Sequence, residues 1–234
     1  IYGGGSWCAL TKNVSLRKTL NGYAVLDYLP RLVSIVDDDS NNALIMNNNT
    51  THEGSMLQAP EYRPVSAVTK FGSGKYAKRV TYSINAATVM RLADWFVYMK
   101  ENDVYDNTRI IIVSDHGPES NVVTQNDLPF EQDQFNAFLM VKDFNAKGSI
   151  KTDMNFMSNA DVPSLALKDL IDNPVNPFTG NPITQDAKKK PLYIAMSGTQ
   201  LLGTNAYQFL LDSKKDFYVH DNLFDPKNWV PVDQ

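Results

Sequence analysis

Arg109-Ile110-Ile111-Ile112-Val113-Ser114-Asp115-His116-Gly117 is the stretch on which the reading of this chain turns. Ile110 to Val113 is an unbroken β-branched run, short and bounded by polar residues. Such a run reads as a strand buried on both faces, as in a mostly parallel sheet. It ends in Asp115-His116-Gly117, which puts a carboxylate, an imidazole and a flexible residue at the strand's carboxy-terminal end. Open α/β sheets bind their ligands at that edge. A carboxylate oxygen and an imidazole nitrogen both suit a divalent metal ion. Gly117 is expected to let the chain turn sharply, so that both side chains reach one point. The same tripeptide also reads as a plain turn, or as a helix cap built on Asp115.

Working outward, Asn85 to Asn102 carries Ala86, Val89, Met90, Ala93, Phe96 and Val97 at helical spacing, and Leu92, Trp95 and Met99 widen the apolar face. Ser83 or Thr81 is placed to cap its start, and Asn102-Asp103 punctuates its end. Helix, short loop, buried strand and polar cluster make half of a βαβ unit. Further upstream, Ala43-Leu44-Ile45-Met46 is a second short apolar run leading into Thr50-Thr51-His52-Glu53. Downstream, Asn136 to Lys142 is a third. The expected fold is α/β: residues 43–47, 110–114 and 137–142 form strands of one mainly parallel central sheet, with residues 84–101 a helix packed on its face. In the tail, "PLYIAM" and "DFYVHDNLFDPKNWVPV" read as short strands around turns. They predict a small antiparallel sheet appended to the core. Asn205 to Leu211 is a candidate brief helix, and Lys188 to Lys190 a solvated turn.

"LADWFVYMKENDVYDNTRIIIVSDHG" resembles the sulfatase family of the alkaline phosphatase superfamily, and within it the membrane-anchored lipoteichoic acid synthases and phosphoethanolamine transferases. By that resemblance Asp115 and His116 are metal ligands, the metal being zinc, manganese, magnesium or calcium. The "TTHE" element with "LQAPEYRP" is similar to the family segment whose histidine contacts the phosphate or sulfate of the substrate, which gives that role to His52. An imidazole there donates a hydrogen bond to an anionic oxygen. His52, Asp115 and His116 are then expected on one edge of the sheet. The segment "FMSNADVPSLALKDL" is similar to the family's strand-to-helix passage, where Asp161 caps a helix and Pro163 fits its first turn. The likeness covers roughly residues 43–170.

The resemblance implies a metal-dependent hydrolase or transferase acting on phosphodiesters or sulfate esters, with an anionic substrate that is lipid- or glycan-linked. Transfer of phosphoglycerol or phosphoethanolamine and hydrolysis of a sulfate ester are the candidate reactions. A covalent route needs a Thr, Ser or modified Cys nucleophile. Ser6, Cys8 and Thr11 are of that type, but Cys8-Ala-Leu-Thr-Lys matches neither sulfatase pattern, C-x-P-x-R nor C-x-A-x-R. The nucleophile and a further acidic ligand are therefore expected upstream. The chain is read as one domain, 1–234, the carboxy-terminal portion of a catalytic domain: residues 1–172 are the α/β core and 173–234 the appended part. Membrane anchoring and an extracytoplasmic location follow from the resemblance alone. This portion by itself is expected to bind metal poorly and to be inactive. Relatives often carry another histidine shortly after "DHG"; here "PESNVVTQNDLPFEQDQF" has none, which favours one metal over two. Glu119, Asp127 and Glu131 are the acids that lie near enough in sequence to approach it.

Composition sets further bounds. With 234 residues and 43% hydrophobic content the chain supports one sizeable core. A net charge of −4 argues against nucleic acid as the main partner. No run of 18 or more apolar residues is present, and a single cysteine excludes an internal disulfide. Glycosylation sequons begin at Asn13, Asn48 and Asn49. His220, beside Tyr218 and Asp221, reads as structural. Two other functions compete with the enzyme. One is a non-catalytic module that keeps the fold and binds anionic envelope polymers. The other is a phosphoglycerate mutase-like enzyme of the same superfamily, against which "TTHE…APEY" speaks.

Overall fold

A computed structural model describes residues 14–37, 40–52, 56–79, 81–118, 132–184, 190–194 and 217–232. Ser6, Cys8, Thr11, Asn13, Glu119, Asp127, Glu131, Lys188, Lys189 and residues 205–211 lie outside these ranges. The chain forms two compact units, residues 1–107 and 108–234.

The first unit is built on two helices. α1, Val14–Leu32, stands where the sequence reading placed no element. Thr19, Leu20, Tyr23, Ala24 and Leu26 are all buried on it, the spacing of one helical face. α2, Tyr82–Glu101, covers the expected helix and begins slightly earlier. Thr81 precedes it without a side-chain cap. Between them, β1 (Leu57–Gln58) and β2 (Arg63–Pro64) make a short antiparallel hairpin with a cis Ala59–Pro60 bond. Leu20, Tyr23, Leu57, Tyr62, Ile84 and Ala87 pack into the core of this unit.

The buried face of α2 is not the one its apolar residues predict. Ser83, Ile84, Ala87 and Met99 are buried, whereas Val89 is 64% and Val97 52% exposed. The buried face is the one that meets Leu20, Tyr23 and Leu57 through Ile84 and Ala87. Arg91 Nη1 lies 2.6 Å from Asp27 Oδ1 of α1, so the face carrying Arg91 is the one turned toward α1. Asp27 and Asp94 raise the Arg91 guanidinium further although its burial works the other way. Burial pushes the Tyr23 hydroxyl beside this pair up to about 12.

Residues 43–47 differ from expectation. They form no regular structure, and Ile45 is 95% exposed. A strand needs a neighbour to take its backbone N–H and C=O groups, and among the described residues none pairs with this run.

In the second unit, β3 (Ile110–Val113) forms as the sequence predicts. Its partner is β4 (Leu139–Lys142), in register Ile110↔Lys142 to Val113↔Leu139. The pairing is antiparallel, and among the described residues every pairing is. Ile110 to Ile112 are half-buried and Val113 is exposed. The run forms the expected strand without the expected burial on both faces, because among the described residues only β4 pairs with it. α3 (Val162–Leu167) follows with Pro163 in its first turn. β5 (Leu192–Ile194), β6 (Phe217–Val219) and β7 (Trp229–Pro231) make the three-stranded antiparallel sheet expected of the tail. Phe217, Val219 and Trp229 are its core, with Phe135, Ile194 and Leu223 packed against them.

Candidate functional site

The turn after β3 is held by backbone and side-chain hydrogen bonds from three later segments. Ser114 N–H donates to Phe138 O at 3.0 Å, and Ser114 Oγ accepts from Phe138 N–H at 2.8 Å. The strand ladder thus continues one step through a side chain. The Asn159 side-chain amide donates to Ser114 O at 2.9 Å and to Asp115 O at 3.0 Å. Gly117 N–H donates to Gln134 O at 2.8 Å. His116 N–H donates to Asp115 Oδ1 at 3.0 Å.

Gly117 is needed for close approach, a different reason from the sharp turn that the sequence suggests. A Cβ on it would stand 1.9 Å from Asp133 O and 2.7 Å from Asn136 O. The short helical turn Gln132–Phe135 presses against it. Phe135 then stacks edge-on to Trp229 at 5.7 Å. The site turn therefore rests on the carboxy-terminal sheet through one layer of chain.

His116 Nδ1 lies 2.7 Å from Gly117 O. A carbonyl only accepts, so Nδ1 carries the proton, and in the neutral ring Nε2 keeps its lone pair. Nε2 sits 3.7 Å from Asp115 Oδ2. Both groups are open to solvent, and a cation shared by the two atoms would draw them closer than this. Ligands about 2.1 Å from one metal ion stand roughly 3 to 3.5 Å apart. The donor types suit a divalent ion and a carbonyl orients the imidazole from behind, while the 3.7 Å spacing is wider than two ligands of one ion keep. Asp115 is largely exposed and His116 about half so. Among the described residues no group of three or more His, Cys, Asp or Glu is gathered to hold a metal.

Asp161 is structural, by a route other than the expected cap. Its side chain makes no capping bond to α3. Oδ2 instead accepts from Ser158 N–H at 2.9 Å and from Ser158 Oγ at 3.1 Å. Oδ1 accepts from Asn176 at 3.1 Å. This buried carboxylate fixes the turn 158–161 that carries Asn159. Asn159 escapes a sequence reading because nothing local marks an amide that reaches a strand end far back in the chain.

His52 belongs to the first unit, whereas Asp115 and His116 belong to the second. It is exposed, and its N–H donates to Asn49 O at 3.2 Å. Its turn is anchored by Asn48, whose amide donates to Gly22 O of α1 at 3.0 Å and whose Oδ1 accepts from Thr50 N–H at 2.9 Å and from the Thr50 hydroxyl. Thr50 is fully buried. His220, set aside as structural, pairs through Nδ1 with Asp221 Oδ2 at 2.9 Å.

Comparison with family models, with curated proteins and with solved structures returns no match for this chain. The family likeness therefore rests on the motifs quoted above. No described helix is long and apolar enough to cross a membrane.

Proposed function

We propose that this chain is part of a metal-dependent hydrolase or transferase of the sulfatase type, acting on phosphodiesters or sulfate esters of cell-envelope polymers or lipids. The supporting observation is the pair Asp115 and His116, with Nε2 and Oδ2 facing across 3.7 Å and the ring held from behind by Gly117 O. A divalent ion bound there would polarise the ester oxygen and favour the ionised nucleophile. Asp115 supplies the anionic oxygen, His116 a neutral nitrogen, and Asn159 keeps the turn from relaxing. His52 is assigned to the anionic oxygens of the ester. The nucleophile and a further acidic ligand come from outside these residues. The mainly parallel α/β core, the membrane anchor and the extracytoplasmic location belong to the same proposal and rest on the motif likeness.

The experiment is metal analysis and turnover of bis(p-nitrophenyl) phosphate and p-nitrophenyl sulfate by the whole protein, with Asp115→Ala and His116→Ala beside it. Metal content and turnover that both fall in the two variants support the enzyme. A whole protein that holds no metal and cleaves neither ester, yet retains envelope polymer, supports the alternative of a non-catalytic binding module.

A further inference from the structure

The segment Pro174 to Pro182 is a stiff hairpin. Pro174, Pro177 and Pro182 restrict its backbone. Val175 bridges Pro182, and Gly180 closes the tip at a φ of +68°. Phe178 at the tip is 82% exposed, so burial of that ring does not hold the hairpin in place. Of the described residues 171–183 only Asn176 is buried. Its N–H donates to Asn181 O at 2.8 Å, and its C=O accepts from Gly180 N–H at 2.8 Å. Its Oδ1 accepts from Phe178 N–H at 2.9 Å and from Thr179 N–H at 3.2 Å.

The amide nitrogen of Asn176 reaches out of the hairpin. Nδ2 donates to Asp161 Oδ1 at 3.1 Å. Asp161 is buried, and its Oδ2 holds Ser158 through N–H and hydroxyl. The next residue, Asn159, gives its amide to Ser114 O and Asp115 O. Three side chains therefore link the hairpin to the turn that carries Asp115 and His116. Each makes at least two hydrogen bonds, so none swings about a single contact. Position 176 needs an amide: one end must donate to a carboxylate while the other accepts from two N–H groups. Water does not repair a mismatch in so buried a place.

We infer that Asn176 is a positioning residue of the candidate metal centre: through Asp161 and Asn159 it sets where the Asp115–His116 turn stands. Loss of the amide frees Asp161, the turn 158–161 relaxes, and Asn159 leaves the two carbonyls. Asp115 and His116 are then no longer aimed as a pair. That this turn binds metal rests on the function proposed above; that Asn176 sets its geometry rests on the hydrogen bonds.

The test exchanges the two side chains. In Asp161→Asn/Asn176→Asp the amide at 161 accepts from Ser158 and donates to the carboxylate at 176. The other oxygen at 176 accepts from Phe178 and Thr179. Each of these hydrogen bonds is kept, and the one between 161 and 176 is reversed. Asn176→Asp alone sets two carboxylates face to face, and Asp161→Asn alone leaves a donor facing a donor. Asn176→Ala, which adds no charge, is the milder break if circular dichroism shows either to be unfolded. The ring nitrogen signals of His116 are followed by NMR in the 234-residue chain, where His52 and His220 are the only other histidines and serve as references. Zinc affinity of the whole protein is measured by equilibrium dialysis. The single variants should shift the His116 signals and leave those of His52 and His220 in place. They should weaken zinc binding by roughly tenfold, the lower end of the range for outer partners of metal ligands. The exchange should return both readings to those of the unaltered protein. His116 signals that stay put in folded single variants, or that stay shifted in a folded exchange variant, overturn the inference. An unaltered whole protein that binds no zinc would sink the metal reading, and the His116 signals would still decide the role of Asn176.

Discussion

Gly117 and Asn159 both constrain the Asp115–His116 turn, and they do so by different physics. At Gly117 the constraint is volume. Any side chain must displace the backbone at Asp133, because its first carbon would stand 1.9 Å from a carbonyl oxygen. Gly117→Ala is expected to cost about 3 kcal/mol, the upper part of the usual overpacking range, read from the urea midpoint. An unchanged midpoint would mean that the chain at 133–136 moves freely away. At Asn159 the constraint is hydrogen bonding to two carbonyls. Asn159→Ala should lose about 1 kcal/mol for each bond. Asn159→Asp should do worse, since it turns an acceptor toward two acceptors. Because the amide also orients a ligand-bearing turn, zinc or manganese affinity should drop by roughly tenfold or more in both variants. Affinity that falls no further than stability predicts would reduce Asn159 to a structural role.

Among elements, β3, β4 and the end of α3 are joined at one node. Arg109, with its side chain only 4% exposed, gives Nε and Nη2 to Asp143 Oδ1 at 2.9 and 2.7 Å. Its Nη1 donates to Ala166 O at 3.0 Å and to Lys168 O. Its guanidinium lies 4.4 Å from the Phe144 ring centre. Lys168 closes the group on Asp143 Oδ2 at 3.2 Å. Burial pushes the Asp143 carboxyl up, but hydrogen bonds from Arg109, Phe144 N–H and Lys168 outweigh it and hold it at about 2. A folded-state value below the ordinary 3.8 stabilises the ionised form. That stabilisation is complete above roughly pH 4 and is lost as pH falls through about 2. With 36% of the side chain exposed, water screens part of it. Asp143→Asn should therefore lower the thermal midpoint at pH 7 and flatten its decline between pH 4 and 2. A decline parallel to that of the unaltered protein would remove Asp143 as its source.

The same elements mark what a sequence carries. β3, α2 and the tail strands were legible because runs of one residue class with turn residues at their ends encode local geometry. Asp115 and His116 are neighbours in sequence, so their place just after β3 followed from the strand. The antiparallel partner of β3 was not, because a β-branched run marks a strand whether or not both faces are covered, and here they are only half so. The face of α2 was misjudged because its buried side is short residues and one ion-paired arginine, Ser83, Ala87 and Arg91, which an apolar count does not weigh. Asn159 and the contact between Gly117 and Asp133 depend on chain that is distant in sequence, so no local pattern reports them.

At the scale of the molecule the question is where the remaining ligands of the candidate metal centre come from. Two donors face each other, and a catalytic zinc takes about three protein ligands plus water, a structural one about four. Glu119, Asp127 and Glu131 follow the turn in sequence, and each is a chemically competent ligand. The ester-transfer proposal places the missing acidic ligand elsewhere, so it expects the 234-residue chain to take up zinc or manganese weakly in equilibrium dialysis. That weak uptake should fall further in Asp115→Ala and His116→Ala, and should be indifferent to Glu119→Ala, Asp127→Ala and Glu131→Ala. Tight, stoichiometric uptake that any one of the last three abolishes would place a complete centre within residues 115–131. The proposal of an outside ligand would then be wrong, while the assignment of Asp115 and His116 would stand.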